Sequence, residues 1–258
     1  AKSCQHLVPK VARQFARPDE RGEQLVEMLV KAGIVALHLP LFQITRGAEL
    51  NELPAKLARL KPDDYVFAVS KNAVDFADKA IKNTGFKWRD DLSYFAVGKS
   101  TAQYFAAMTE MAVHYPTTQE NSEGLLQLSM MQDLSEKTVL ILRGNGGREF
   151  FAEQAQQRGG SIEIVECYRR EPLVYNQAEQ TSLCKRAGVQ TIVVTSAEIL
   201  TQLVDFVPQS EHNWLKSCHL ITISERIAHL AKALGWQQVT VCPCSDNRTL
   251  LQTLLQCR

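Results

Sequence analysis

Net charge is nearly absent from this sequence: 29 Lys and Arg face 28 Asp and Glu, leaving +1. A chain so balanced has no bulk attraction for nucleic acid or an anionic membrane, so any anion site must be built locally. Long apolar runs are missing too, and none approaches the length of a membrane span. The opening AKSCQHLVPK lacks the apolar core of a secretory signal. A disulfide framework is absent: the seven cysteines are odd in number and irregularly spaced. Reduced thiols and a cytoplasmic location are therefore expected. Cys242 and Cys244 form CPC rather than CxxC, while Cys167, Cys184 and Cys218 read as small buried apolar residues. The six histidines are scattered with no HxxxH or Cys/His cluster, so no metal site is expected. No serine sits in a GxSxG elbow, and no Cys, His and acid stand at a recognisable motif spacing.

What is present is a soluble globular composition, 45% hydrophobic and 22% charged, long enough for two domains. The chain also matches itself at an offset of 126 (143 − 17 = 126). Arg17 meets Arg143, Gly33 meets Gly159, Ser70 meets Ser196, Trp88 meets Trp214, and Asn121 meets Asn247, with no gap. Tryptophan occurs only three times, which makes the Trp match hard to assign to chance. Two copies of one α/β unit, forming two lobes with a cleft, are expected.

Lys137 to Leu142 (KTVLIL) is suited to a buried parallel strand, followed by Arg143-Gly144-Asn145-Gly146-Gly147 and a helix to Arg158. Gly159 supplies a left-handed helix stop, and Ser161 to Val165 the next strand. In the first copy Pro18-Asp19 opens a helix whose apolar face is Leu25, Val26, Leu29 and Val30. Each copy then repeats strand, turn and helix: Tyr65 to Val69 into Ser70-Lys71-Asn72, and Thr191 to Val194 into Thr195-Ser196-Ala197. Tyr94 to Val97 into Gly98-Lys99-Ser100-Thr101 matches Leu220 to Ile223 into Ser224-Glu225-Arg226. Each copy closes with a short strand and a helix, carrying Leu125 and Leu128 or Leu251 and Leu254. The fold class predicted is α/β, doubly wound twice, with about five parallel strands per lobe. Leu39 to Ile44 and Val165 to Arg170 resist that scheme and read as extended crossings between lobes.

RGNGGRE (Arg143 to Glu149) presents backbone N–H groups and a positive helix end to an anion. It lacks the GK[ST] ending of a Walker loop, and Glu149 stands where a dinucleotide fingerprint has its third glycine. The small hydroxyl residues after the strands are individually best explained as N-caps. Four such loops on one edge would nonetheless form a wall of donors suited to a ligand with several carboxylates. Tyr168, flanked by Arg169 and Arg170, is either a proton or hydrogen-bond donor or an amphipathic aromatic at a domain junction, and the residues leave the two even.

RGNGGRE after an apolar strand, the ECY crossing, VVTS with a helix behind it, and LITISERIAHLAKALGW together resemble bacterial uroporphyrinogen-III synthases, as do FAVSKNAV and YFAVGKSTA. The resemblance covers roughly residues 16 to 258. It implies conversion of hydroxymethylbilane to uroporphyrinogen III, with inversion of the last pyrrole ring, ring closure and loss of water. No metal or organic cofactor takes part. The implied route loses the terminal hydroxyl to leave an azafulvene cation and passes through a spiro intermediate, with Tyr168 assisting departure of the hydroxyl. Substrate contacts carried over are Arg17, Ser70, Lys71, Gly98, Lys99, Ser100, Thr101, Arg143, Gly144, Asn145, Thr195, Ser196, Ala197, Ser224 and Arg226. The implied topology joins residues 1–38 with 172–258 in one lobe and places 45–164 in the other, with 39–44 and 165–171 as linker strands. The family usually opens with a strand ending in TRP, whereas this chain reads VARQFARP, with Ala16 in place of the threonine and Arg13 and Gln14 inside the strand. The small-molecule partner is a linear tetrapyrrole octa-carboxylate, and a monomer with only transient contact with hydroxymethylbilane synthase is expected. The alternative is a non-catalytic, hinged binding protein for an anionic metabolite, which needs no Tyr168.

Overall fold

The computed structural model describes residues 11–14, 20–244 and 246–257. In chain order the first elements are β1 (Val11–Gln14), α1 (Glu20–Lys31), β2 (Ala36–His38), β3 (Phe42–Arg46) and α2 (Leu53–Arg59). Then come β4 (Tyr65–Ala68), α3 (Lys71–Asn83), β5 (Ser93–Phe95), α4 (Lys99–Thr109), β6 (Val113–His114) and α5 (Ser122–Leu125). They are followed by β7 (Thr138–Gly144), α6 (Phe150–Gln157), β8 (Ser161–Pro172), α7 (Gln177–Arg186) and β9 (Val189–Val193). The last are α8 (Ala197–Phe206), α9 (His212–Ser217), β10 (His219–Thr222), α10 (Glu225–Ala233), β11 (Val239–Val241) and α11 (Asn247–Gln256).

The chain divides into two compact units. A contiguous unit spans Ile44–Glu171, and a composite unit joins the residues up to Gln43 with those from Pro172 onward. The chain passes from one to the other inside β3 and at the end of β8, strands that neighbour each other in one sheet.

The contiguous unit's sheet has the order β3-β8-β7-β4-β5-β6. The strands from β8 to β6 pair in parallel, with Tyr65 opposite Val139 and Phe67 opposite Ile141. Side chains alternate across a strand, so each one feeds two cores. Tyr65, Phe67, Val139 and Ile141 pack with Leu125 and Phe151 on the side of α5 and α6. Val66, Ala68, Leu140 and Leu142 pack with Val74, Ala77, Ile81 and Phe105 on the side of α3 and α4. Trp88, Tyr94 and Phe105 meet edge to face at 5.5–6.0 Å. Asp78 accepts the Trp88 indole N–H at 3.0 Å, which makes that buried polar group tolerable. Asp64, 1% exposed, accepts from Lys61 N at 2.7 Å and Thr138 N at 3.0 Å, tying the turn before β4 to the start of β7.

The composite unit's sheet has the order β11-β10-β9-β1-β2, parallel throughout. β1 is an interior strand: Ala12 pairs with Thr191 on one side and Ala36 on the other. Ile192, Val194 and Leu220 face Ile199, Leu203 and Ile227, while Val193 and Ile221 face Leu25, Leu29, Leu250 and Leu254.

Four local expectations are corrected. Val30 is 58% exposed, because the buried stripe of α1 narrows to Leu25 and Leu29. Leu128 lies beyond α5, which stops at Leu125. The helix after the glycine-rich turn does run to its cap at Arg158 but starts only at Phe150, so Arg148 and Glu149 still belong to the turn. The strand from Ser161 and the following crossing are one continuous twelve-residue strand, β8. Gly33 and Gly159 do adopt positive φ, +80° and +91°, as the left-handed stops require.

Candidate active site

Parallel strands bring their carboxyl ends to one edge. In the contiguous unit, that edge carries Ser70 after β4, Gly98 after β5 and Gly144 at the end of β7. Successive connections run outward through β4, β5 and β6 on one side and through β7 and β8 on the other. The order therefore reverses between β7 and β4, and a crevice beside such a switch point is where α/β sheets hold ligands. Tyr168 lies at this place. Its oxygen is 3.0 Å from Ser70 Oγ, and the residue is 9% exposed.

A bulge aims Tyr168 there. Arg143 pairs with Glu166, but Gly144 pairs with Tyr168, so Cys167 is an extra residue in β8. Simple alternation would send residues 167 and 168 to opposite faces, whereas both join the core packed against α3. Bulges re-aim side chains in this way beside functional sites. Gly144 is needed for the close approach: a Cβ there would come within 2.6 Å of the Tyr168 ring. Phe76 of α3 stacks on the same ring, centroids 6.3 Å apart at 24°.

Ser70, Ser196 and Ser224 are all N-caps, accepting from Ala73 N, Ile199 N and Ile227 N at 3.2, 3.2 and 3.3 Å. Capping uses the oxygen and leaves each hydroxyl hydrogen to donate elsewhere. Lys71, Lys99 and Ala197 are the first residues of their helices, Ser100 and Thr101 follow Lys99, and Arg226 stands second in α10. Thr195, Ser196, Ala197, Ser224 and Arg226 lie at the corresponding edge of the composite unit, after β9 and β10. Arg17 lies outside the described residues.

Besides the capping serines, three more members of the set are engaged inside the chain. Arg143 Nη1 donates to Glu149 Oε1 at 2.9 Å, although its buried Nε has no partner among the described residues. Asn145 Oδ1 accepts from Arg170 N at 2.9 Å and its Nδ2 donates to Arg170 O at 3.3 Å, pinning the loop to β8. At α4, which has no side-chain cap of its own, Lys99 N donates to Glu120 Oε1 at 2.9 Å. Motif reading missed Glu120 and Phe76. Glu120 is 21 residues from the amide it meets, and Phe76 lies beside the apolar stripe rather than in it, so neither leaves a local signal. Burial pushes the Cys167 and Cys218 thiols up to about 12, which makes them poor nucleophiles. Among the described residues, no group of three or more His, Cys, Asp or Glu could hold a metal ion. No helix among them is long and apolar enough to cross a membrane.

A family model described as uroporphyrinogen-III synthase HemD matches residues 23–252. The uroporphyrinogen-III synthase of Salmonella typhimurium is 42% identical over 242 residues, covering 93% of this chain and 98% of the relative. That of Escherichia coli is 41% identical over 240 residues, covering 92% and 97%. Among solved structures, a mutant uroporphyrinogen III synthase of Thermus thermophilus superposes with a TM-score of 0.66 at 16% identity, covering 96% of this chain and 100% of that one. The Helicobacter pylori uroporphyrinogen-III synthetase gives 0.57 at 13% identity, covering 97% and 100%. These two share the two-domain α/β fold. The non-catalytic alternative finds no support among these relatives, and the chain belongs to the uroporphyrinogen-III synthase family.

Proposed function

We propose that this chain closes hydroxymethylbilane to uroporphyrinogen III as a lyase that uses no cofactor. The observation that carries the reading is the Tyr168 phenol, packed over Gly144 at the strand-order reversal with its oxygen 3.0 Å from Ser70 Oγ. In this reading Tyr168 protonates the terminal hydroxyl, which departs as water and leaves an azafulvene cation. Attack on its methylene by the bridge-bearing carbon of the last pyrrole gives a spiro intermediate; the old bridge bond at that carbon then breaks and re-forms at the ring's free α-carbon, which inverts the last ring. The remaining work is positioning of a flexible octa-acid.

Each unit offers its own donors for carboxylates. The contiguous unit has the starts of α3 and α4, with Ser70, Lys71, Gly98, Lys99, Ser100 and Thr101, together with Arg143, Gly144 and Asn145. The composite unit has Thr195, Ser196, Ala197, Ser224 and Arg226, with Arg17 assigned by family likeness alone. Backbone N–H groups at helix starts favour carboxylates over neutral groups. The enzyme is assigned to the cytoplasm as a monomer, in transient contact with the synthase that makes its substrate.

The test is an isomer-resolved assay on freshly generated hydroxymethylbilane, with products oxidised and separated by chromatography. Type III product rising with added protein is expected, over a spontaneous background of type I. Type I alone, at the blank rate and from folded protein, would falsify the assignment. Tyr168→Phe is expected to lower the type III rate by about 10²-fold or more, as for loss of a general acid. Undiminished turnover would remove Tyr168 from the mechanism while leaving a conformational synthase.

A further inference from the structure

A serine hydroxyl has one hydrogen to give and two lone pairs to receive. At Ser70 one lone pair takes the Ala73 N–H at 3.2 Å, the capping bond of the thirteen-residue helix α3. That bond and the positive end of the helix draw electron density from Oγ, making it a poorer acceptor and a better donor. Among the described residues, the one other partner of Oγ is the Tyr168 oxygen, at 3.0 Å.

The ring bearing that oxygen has little room to move. A Cβ at Gly144 would lie 2.6 Å from ring atom Cε2 and 3.1 Å from the oxygen, so the aromatic plane is seated directly on the backbone of β7. Phe76 stacks on the ring at 24°, and the whole residue is 9% exposed. With the ring held, the freedom left to the phenol is rotation of its own hydrogen.

We infer that Ser70 is a positioning residue, which donates its hydroxyl hydrogen to Tyr168 and so leaves the phenolic proton free to be delivered to substrate. The hydrogen-bond chain runs from Ala73 N–H to Ser70 Oγ, from Ser70 O–H to the Tyr168 oxygen, and from Tyr168 O–H to the departing hydroxyl. When the carbon–oxygen bond of the substrate breaks, the hydroxyl leaves with the tyrosine proton as water. The phenolate left behind is held by the Ser70 hydroxyl, itself backed by the helix amide. The proton lost from the free α-carbon of the last pyrrole, once that carbon has formed the closing bond and the ring regains aromaticity, then restores the phenol, so the cycle closes without another reactant. An opposite arrangement, with Tyr168 donating to Ser70, would tie up the proton the reaction requires. The inference rests on Tyr168 being the proton donor.

The test compares Ser70→Ala, Ser70→Thr, Tyr168→Phe and the Ser70→Ala/Tyr168→Phe double variant in the isomer-resolved assay, with kcat and KM determined separately. Ser70→Ala is expected to lower kcat about tenfold, the loss of one hydrogen bond to a charged group, with KM within about twofold. Ser70→Thr, which keeps both cap and hydroxyl, is expected to recover most of kcat. In the Tyr168→Phe background, Ser70→Ala should cost nothing further. Effects that multiply in the double variant, or a change confined to KM, would overturn the role of Ser70 while leaving Tyr168 as donor. Full activity of Tyr168→Phe would instead overturn the donor assignment itself. Should Ser70→Ala fail to fold, Gly144→Ala tests the same geometry by pushing the ring off its seat. It should then lower kcat toward the Tyr168→Phe value, and unchanged kcat would count against the fixed ring.

Discussion

Lys99 N–H is a donor of the kind a substrate carboxylate needs, and Glu120 already accepts from it. A carboxylate bound within the chain competes with any ligand for that amide and adds a like charge beside the incoming acid. Glu120→Gln is therefore expected to lower KM for hydroxymethylbilane by about two- to fivefold, on the scale of a charge–helix interaction. An unchanged KM would mean that the start of α4 takes no part in substrate binding. Such contacts show how far single residues are legible from sequence. That Ser70, Ser196 and Ser224 would cap helices follows from their place after an apolar strand. That Ser70 also meets Tyr168, 98 positions away, depends on a bulge, and no local pattern announces a bulge. The same limit leaves the tyrosine's two readings even in the sequence.

Strands and helices were more legible than their joints. Apolar runs such as KTVLIL and YVFA mark strands buried on both faces, and both form as parallel neighbours. The glycine stops at Gly33 and Gly159 held, whereas the expected end of α5 and the break before VECYRR did not. VECYRR looked separate from the strand before it because Glu166 and the two arginines interrupt the apolar run. Their backbones nonetheless continue the ladder, with the side chains only partly buried or exposed. Joints also depend on groups that pattern reading treats as surface. Asp64 holds Lys61 N and Thr138 N, so Asp64→Ala would leave two donors without partners. A loss of about 2–4 kcal/mol is expected, read from urea unfolding. A midpoint unchanged from the parent would show that water replaces the carboxylate at no cost.

At the scale of the molecule, residue patterns leave open which strands share a sheet, because every buried parallel strand looks much like another. The registers decide it: Val11 pairs with Val189, whereas β4 pairs with β5 and β7. The unit from Ile44 to Glu171 has two cores of its own on one unbroken segment. Expressed alone, that segment is expected to unfold cooperatively in denaturant, with helical and strand circular dichroism before the transition. A non-cooperative, disordered fragment would contradict its independence.

The interior place of β1, between β9 and β2, also sets a timetable. Its partner in β9 is made 178 residues later (189 − 11 = 178), after the whole contiguous unit. At roughly 5–20 residues per second, the ribosome needs about 10–35 s to supply it. During that interval the earliest part of the chain, including the Leu25 and Leu29 stripe that ends 0% and 1% exposed, has emerged without the sheet that will cover it. The unit begun second is complete first, and β1 waits until β9 has been made. Holding factors acting on nascent chains would find their target in those opening residues, and a stalled message would release one finished lobe carrying an orphan arm.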